Sequence, residues 1–204
     1  MPRKTEKRKD KPVVLAITGA SGAPYAVRLL EVLTGLSVPV ELITSQMGRD
    51  MLRRESGIPA SGSLTDHLAG RGLDVSRLRL WAVDDLAAPP ASGSFPAAGM
   101  VICPCSVKTL SAVAVGSCRT LIERAAEVML KEQRKLVLVL RESPYSLTQI
   151  ENMRSATLAG AVILPASPAF YHKPSGISEL VDFIVARVLD QLGIEHDLVA
   201  RWGC

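Results

Sequence analysis

The chain has 204 residues, 48% of them hydrophobic and 22% charged, enough for one well-buried core and short for two. Residues 3–11, RKTEKRKDK, hold six bases and two acids and so carry the whole net charge of +4. The neutral remainder argues against a nucleic-acid surface on the folded body.

Residues 1–12 read as a disordered, solubilising basic arm. A basic start before Val13–Ile17 imitates a signal peptide, but the apolar run is short and leads straight into a glycine turn, so the expectation is no export and a cytoplasmic protein. No apolar stretch approaches the roughly 20 residues of a membrane helix. From there apolar runs predict strands near 13–18, 38–44, 79–83, 100–104, 136–140 and 161–164. Helical patterns alternate with them over 23–36, 46–55, 106–116, 120–133, 146–158 and 178–192. This alternation predicts one α/β domain over 13–204, a Rossmann-like, flavodoxin-like parallel sheet with helices on both faces. The stretch AAPPASGSFPAAG, residues 87–99, is the longest loop, and such loops are often mobile or functional.

The first strand stops in Thr18-Gly19-Ala20-Ser21-Gly22 before the first helix. A strand, a small-residue turn and a helix N-terminus aim free N–H groups and the positive end of the helix dipole at one point, which suits a phosphate; a plain strand–helix turn reads the same way. The spacing is G-x-x-G, not the dinucleotide G-x-G-x-x-G, and Glu41 lies inside the second strand while Ser45 follows it. Tyr25, Tyr145 and Tyr171 have no Lys four residues on, which further disfavours nicotinamide chemistry and leaves a mononucleotide such as FMN open.

Ligands in open α/β sheets sit beyond the carboxyl ends of the strands. Those ends carry Gly19-Ala20-Ser21, Ser45, Cys105-Ser106-Val107-Lys108-Thr109, Arg141-Glu142, and Pro165 followed by Ala169-Phe170-Tyr171. Hydroxyls at three ends and an Arg at a fourth make a cradle for a phosphate monoester and a flat ring, although Ser21, Ser45 and Ser106 also suit ordinary N-caps. A second anion site is suggested by Arg187, which falls by spacing within the apolar stripe of Leu180, Phe183, Ile184, Val188 and Leu192. A buried charge needs a partner; an ion pair with Asp182 or Asp190 is the plainer reading. Arg124 and Lys131 lie seven apart on one helix face, with local pairing of Glu127 to Lys131 as the alternative. Cys103, Cys105, Cys118 and Cys204, with scattered His67, His172 and His196, read as free thiols and not as a zinc site.

With these pieces placed, the chain resembles the flavin prenyltransferases of the UbiX type. TGASG, PPASGS, ICPCSVKTLSAVA, LIERAAEVMLKE, LVLVLRESPYS, ENM, GAVILPASPAFYHKP, LVDFIVARVLDQLG and RWG stand in the family's order from Val13 to Trp202. The resemblance implies transfer of a dimethylallyl group from dimethylallyl phosphate to N5 and C6 of reduced FMN, without metal. It implies a dodecamer with FMN where subunits meet, and a separate decarboxylase that uses the prenylated FMN. By position it implies that Gly19, Ala20, Ser21, Ser45, Ser106, Val107, Lys108, Thr109 and Arg141 hold FMN. Arg124, Lys131, Glu142, Tyr171 and Arg187 would surround the allyl phosphate. Ser21 and Glu55 would move a proton at the flavin, and Tyr171 and Trp202 would give aromatic faces to an allyl cation. Two other readings compete. A cysteine decarboxylase of related fold wants a catalytic His near the first helix and a PxMN motif, whereas His67 and Asn152 are badly placed for either. A non-catalytic FMN carrier would tolerate loss of Lys131, Glu142 and Arg187, all present here.

Overall fold

The computed structural model describes residues 11–200. The expectations for the basic arm at residues 1–10, and for Trp202 and Cys204, lie outside them. Strands β1 (Val13–Ile17), β2 (Val40–Thr44), β3 (Leu78–Trp81), β4 (Gly99–Cys105), β5 (Leu136–Leu140) and β6 (Val162–Pro165) alternate with helices. The helices are α1 (Ala23–Gly35), α2 (Gln46–Ser56), α3 (Leu64–Gly70), α4 (Val107–Ala114), α5 (Leu121–Lys131), α6 (Leu147–Leu158) and α7 (Ile177–Leu192). All strands pair parallel, in the order β3-β2-β1-β4-β5-β6. The order reverses between β1 and β4, where a crevice opens at the carboxyl edge of such sheets.

Central β1, β4 and β5 are buried throughout, while the edge strands β3 and β6 are half-exposed. This explains why the central runs are continuously apolar. The strand period of two sorts their side chains to opposite faces. Val13, Leu15, Ile17, Val101, Val137 and Val139 pack with α1, α7 and the apolar positions of α2 and α3. Val14, Ala16, Ile102, Leu136, Leu138 and Leu140 pack on the other side with α4, α5 and α6. Burial of each such Leu or Ile stabilises the fold by about 1.5–3 kcal/mol.

The sequence pattern does not predict α3. It is seven residues long, buries only Leu64 and Leu68, and begins at a Ser63 cap, too short to show a helical period. The 87–99 loop is also less free than its composition suggests. Arg134 donates to the carbonyls of Phe95 (2.5 Å) and Gly93 (2.7 Å), and Arg124 Nε donates to that of Ala91 (3.1 Å). A 3-10 turn, Pro89–Ala91, buries Pro90 and Ala91 beneath it. Among the described residues, no helix is long and apolar enough to cross a membrane.

Candidate functional site

Backbone hydrogen bonds lace the carboxyl ends of the strands side by side. Ser45 N–H donates to Ile17 (3.0 Å), Thr18 to Pro104 (3.3 Å), Arg141 to Cys105 (3.3 Å) and Ala166 to Leu140 (2.9 Å). The buried Thr18 hydroxyl donates to Pro104 O (2.7 Å) and accepts from Ser106 N–H (2.9 Å), so it locks the end of β1 to the start of α4. Sequence reasoning passed over Thr18, which stands immediately before the glycine turn. Gly19–Ser21, Ser45, Ser106 and Arg141 thus lie along one edge, on strands about 5 Å apart.

The two helix starts at the crevice differ. Ser106 caps α4: its hydroxyl accepts from Thr109 N–H (3.3 Å) and lies 3.0 Å from the Thr109 hydroxyl. The N–H groups of Val107 and Lys108, in the first turn, have no intrahelical acceptor by helix geometry. They face the crevice end of the helix and suit an anion. At α1 the corresponding donors are taken. Glu55 Oε2, from α2, accepts from Gly22 N–H (2.7 Å) and Ala23 N–H (2.8 Å). Gly22 has φ +125° and offers no side-chain cap, so the carboxylate of a distant helix caps α1. Of the two turns that could take a phosphate, the one at Gly19–Gly22 therefore already holds an anion of the protein's own.

Burial pushes the Glu55 carboxyl upward, but the Gly22, Ser21 and Ala23 donors and the nearby Arg141 charge outweigh it, and its pKa falls below the ordinary value. Glu55 is therefore ionised, with the Ser21 hydroxyl among the groups that favour its charge. Tyr25, one turn into α1, joins the corner; burial raises its phenol, helped by Cys103 and opposed by Arg141. It has no motif of its own in the sequence. Glycine is required in this turn. A Cβ at Gly19 would lie 2.6 Å from Met47 Cβ, and one at Gly22 would lie 2.9 Å from the Tyr25 ring. Ala20 is buried, Ser21 half-buried, and Gly19 and Met47 face outward.

Two buried thiols line the floor. Burial pushes Cys103 far up and Cys105 up to about 12, so both are inert, protonated packing groups. Cys118 is free as well, and among the described residues no group of three or more His, Cys, Asp and Glu could hold a metal ion.

The residues expected around an allyl phosphate do not gather in one chain. Glu142 and Tyr171 stand beyond the carboxyl edge, and Tyr171 sets its ring edge-on to Phe183 of α7, centroids 6.1 Å apart. Lys131 lies instead at the opposite end of the sheet, beside Gly93 and paired with Glu132 at 2.7 Å. The five residues of β5 put about 16 Å between those ends. Arg124 pairs with Glu127 at 2.6 Å, not Glu127 with Lys131. Arg124 and Lys131 are on the α5 face, Arg187 on the α7 face, with the sheet between them.

Arg187 corrects the spacing argument. Its side chain is 52% exposed and pairs with Asp190 at 2.8 Å, while Asp182 pairs across the layer with Arg28 at 2.6 Å. The buried stripe of α7 runs through Val181, Ile184, Val185, Ala186, Val188, Leu189 and Leu192; it shares Ile184, Val188 and Leu192 with the inferred stripe but is rotated toward Val181, Val185 and Leu189, leaving Leu180 and Phe183 half-buried at its margin. That rotation takes Arg187 off the core and onto the flank.

A family model described as Flavoprotein matches residues 1–189. The flavin prenyltransferase UbiX of Pseudomonas aeruginosa is 48% identical over 198 residues, covering 94% of this chain and 93% of that protein. AnUbiX (PadA1), whose crystal structure is a complex with FMN and dimethylallyl pyrophosphate, superposes with a TM-score of 0.85 at 39% identity, covering 96% of this chain and 98% of that one. A dodecameric FMN-dependent UbiX-like decarboxylase from Escherichia coli O157:H7 gives a TM-score of 0.84 at 38% identity, over 95% of this chain and 100% of that one.

Proposed function

The chain belongs to the flavin prenyltransferases of the flavoprotein family, and on that footing we propose that it moves a dimethylallyl group from dimethylallyl phosphate to reduced FMN. The carbon–oxygen bond of the allyl ester breaks and phosphate departs. When bound, reduced FMN supplies the electron-rich N5 and C6 positions that take up the allyl carbons. The observation that carries this reading is the division of labour at the β1/β4 crevice. One helix start keeps donors for a ligand anion, while the other is capped by a carboxylate that also holds a serine hydroxyl.

The residues present fit a mononucleotide. Val107, Lys108 and Thr109 at the α4 start, with Ser106 and Ser45, hold its terminal phosphate. Gly19 and Ala20 let a flat ring approach the backbone, and Arg141 reaches the same corner. With a ring bound over the turn, the Ser21 hydroxyl would pass a proton from it to the Glu55 carboxylate. In the open chain Glu55 is a weak base. A ring over it adds desolvation, the factor that already pushes its pKa upward. Ser21 and Glu55 therefore become a better acceptor pair only when the site is filled.

Charge on the leaving phosphate is met by Arg124, Lys131 and Arg187, with Glu142 and Tyr171 at the rim. Fixed guanidinium and ammonium groups can stabilise that charge without a metal ion. Since these side chains lie on opposite faces of one chain, the site is completed by a second copy. A symmetric oligomer, with the dodecamer as its expected form, brings the α5 flank of one copy to the crevice of another. By the family resemblance, Trp202 and Tyr171 would supply aromatic faces to an allyl cation. The product passes to a separate decarboxylase, and the setting is the cytoplasm.

Anaerobic incubation with reduced FMN and dimethylallyl phosphate, followed by mass analysis of the flavin, tests the reaction. A prenyl adduct that forms in EDTA is the expected result. An unmodified flavin, with either the phosphate or the pyrophosphate donor, removes the proposal. Equal affinity for FAD and FMN would remove the single-phosphate site at α4.

A further inference from the structure

We infer that Asp190 and His196 are positioning residues that set the direction of the Arg187 guanidinium. The inference rests on the reading that Arg187 meets the allyl phosphate. Arg187 NH1 donates to Asp190 Oδ2 at 2.8 Å, one helical turn away. By itself an exposed i,i+3 pair of this kind is weak and swivels freely. Here the other oxygen of the same carboxylate is tied down: His196 Nε2 lies 3.3 Å from Asp190 Oδ1.

His196 is almost wholly buried, its side chain 3% exposed, although it lies in an irregular segment after α7. Leu198 N–H donates to its Nδ1 at 3.4 Å. A ring nitrogen that accepts a backbone N–H carries a lone pair, so the proton sits on Nε2 and is donated to Asp190. The ring fixes one oxygen of the carboxylate, and the negative charge meets Arg187 through the other. Asp190 keeps that charge for Arg187 while the buried ring sets the plane of the carboxylate behind it.

The anchor for the ring is firm. Gly193 turns the chain in the left-handed region at φ +67°. Gly193 N–H donates to Asp190 O (3.1 Å) and Ile194 N–H to Leu189 O (3.0 Å). Ile194 and Leu198 pack against the core shared by α1 and α7. One carboxylate thus joins the phosphate-facing arginine to the base of the C-terminal segment.

The test compares Arg187→Ala, Asp190→Asn, His196→Ala, His196→Gln and the Asp190→Asn/His196→Ala double variant in the full oligomer. KM for dimethylallyl phosphate and kcat are measured separately, beside FMN affinity and melting temperature. Loss of an oriented, charge-assisted contact predicts KM raised about tenfold in Arg187→Ala and about threefold to tenfold in Asp190→Asn and His196→Ala, with FMN affinity unchanged. His196→Gln, whose Nε2–H reaches the same oxygen, restores KM. His196→Ala adds nothing once Asp190 is Asn, because both act through one link. A carboxylate that merely sat beside the phosphate would give the opposite sign, with KM falling in Asp190→Asn, and that result overturns the inference. So does wild-type KM in a folded His196→Ala, or, should that variant not fold, wild-type KM in Asp190→Asn. If Arg187→Ala leaves both KM and kcat unchanged, the phosphate reading of Arg187 itself fails and takes the inference with it. If only the Asp190 and His196 variants leave KM unchanged, the phosphate reading stands alone.

Discussion

The carboxyl edge of the sheet and the outer flanks of α5 and α7 are built on different principles. At the edge, Thr18, Gly22, Ser106 and Glu55 are joined by short hydrogen bonds across chain separations of 32–88 residues, and the arrangement is complete within one chain. On the flanks, Arg124, Lys131 and Arg187 are half-exposed or exposed and pair with neighbours on their own helices. Nothing in one chain aims them at a common point. On the proposed function, the flavin half of the site would belong to the fold and the phosphate half to the assembly.

The sharpest way to probe the complete half is Glu55→Gln. As the proton acceptor behind Ser21, its loss should lower prenyl transfer about a hundredfold or more, the usual scale of a lost general base. Single-turnover rates check this. The same variant reports on acid stability. The folded pKa of Glu55 lies below its ordinary value of 4.5, so its contribution to stability is fully present above that value. It is lost as pH falls through the folded pKa. Melting curves of wild type and Glu55→Gln should therefore differ at neutral pH and converge in acid. Curves that stay parallel would separate Glu55 from the α1 cap.

On the incomplete half, Arg187→Ala should lower turnover by about thirty-fold to a thousandfold, corresponding to about 2–4 kcal/mol of lost transition-state stabilisation. FMN affinity and melting temperature should barely move. Mixing subunits sharpens the contrast. Lys131→Ala and Arg187→Ala, each impaired alone, should regain part of the activity when refolded together, since some sites then draw both groups from intact copies. No recovery would mean that one copy supplies both.

Gly22→Ala should act on the complete half through the backbone. An L-residue at φ +125° costs about 1–3 kcal/mol, visible as a lower melting temperature and weaker FMN binding together. The smallest effect is expected far from either half. Trp81 Nε1–H donates to the buried Glu41 carboxylate at 2.5 Å. Trp81→Phe should cost about 1–3 kcal/mol of stability, the penalty of leaving Glu41 unpaired, with prenyl transfer rate unchanged in whatever remains folded.

The alternation of apolar runs with helical periods sets the number and sequence of all six strands and six of the seven helices, because a buried parallel sheet demands continuous apolar strands and amphipathic crossovers. The glycine turn and the serines at successive strand ends are equally local, since each depends on backbone conformation and capping. The sequence also places Glu55 on α2 and Arg187 on α7. It cannot say that Glu55 reaches back to cap α1, because that bond joins residues more than thirty apart and depends on how α2 lies against the first turn. Nor can it fix the rotation of α7. A stripe that takes in Leu180 and Phe183 puts Arg187 in the core, and only packing against α1 and the sheet turns it onto the flank. Asp190 is legible as a partner of Arg187, but the roles of Thr18, Tyr25 and His196 are not, for the same reason: none carries a motif, and each acquires its role from the side chain that the fold sets beside it.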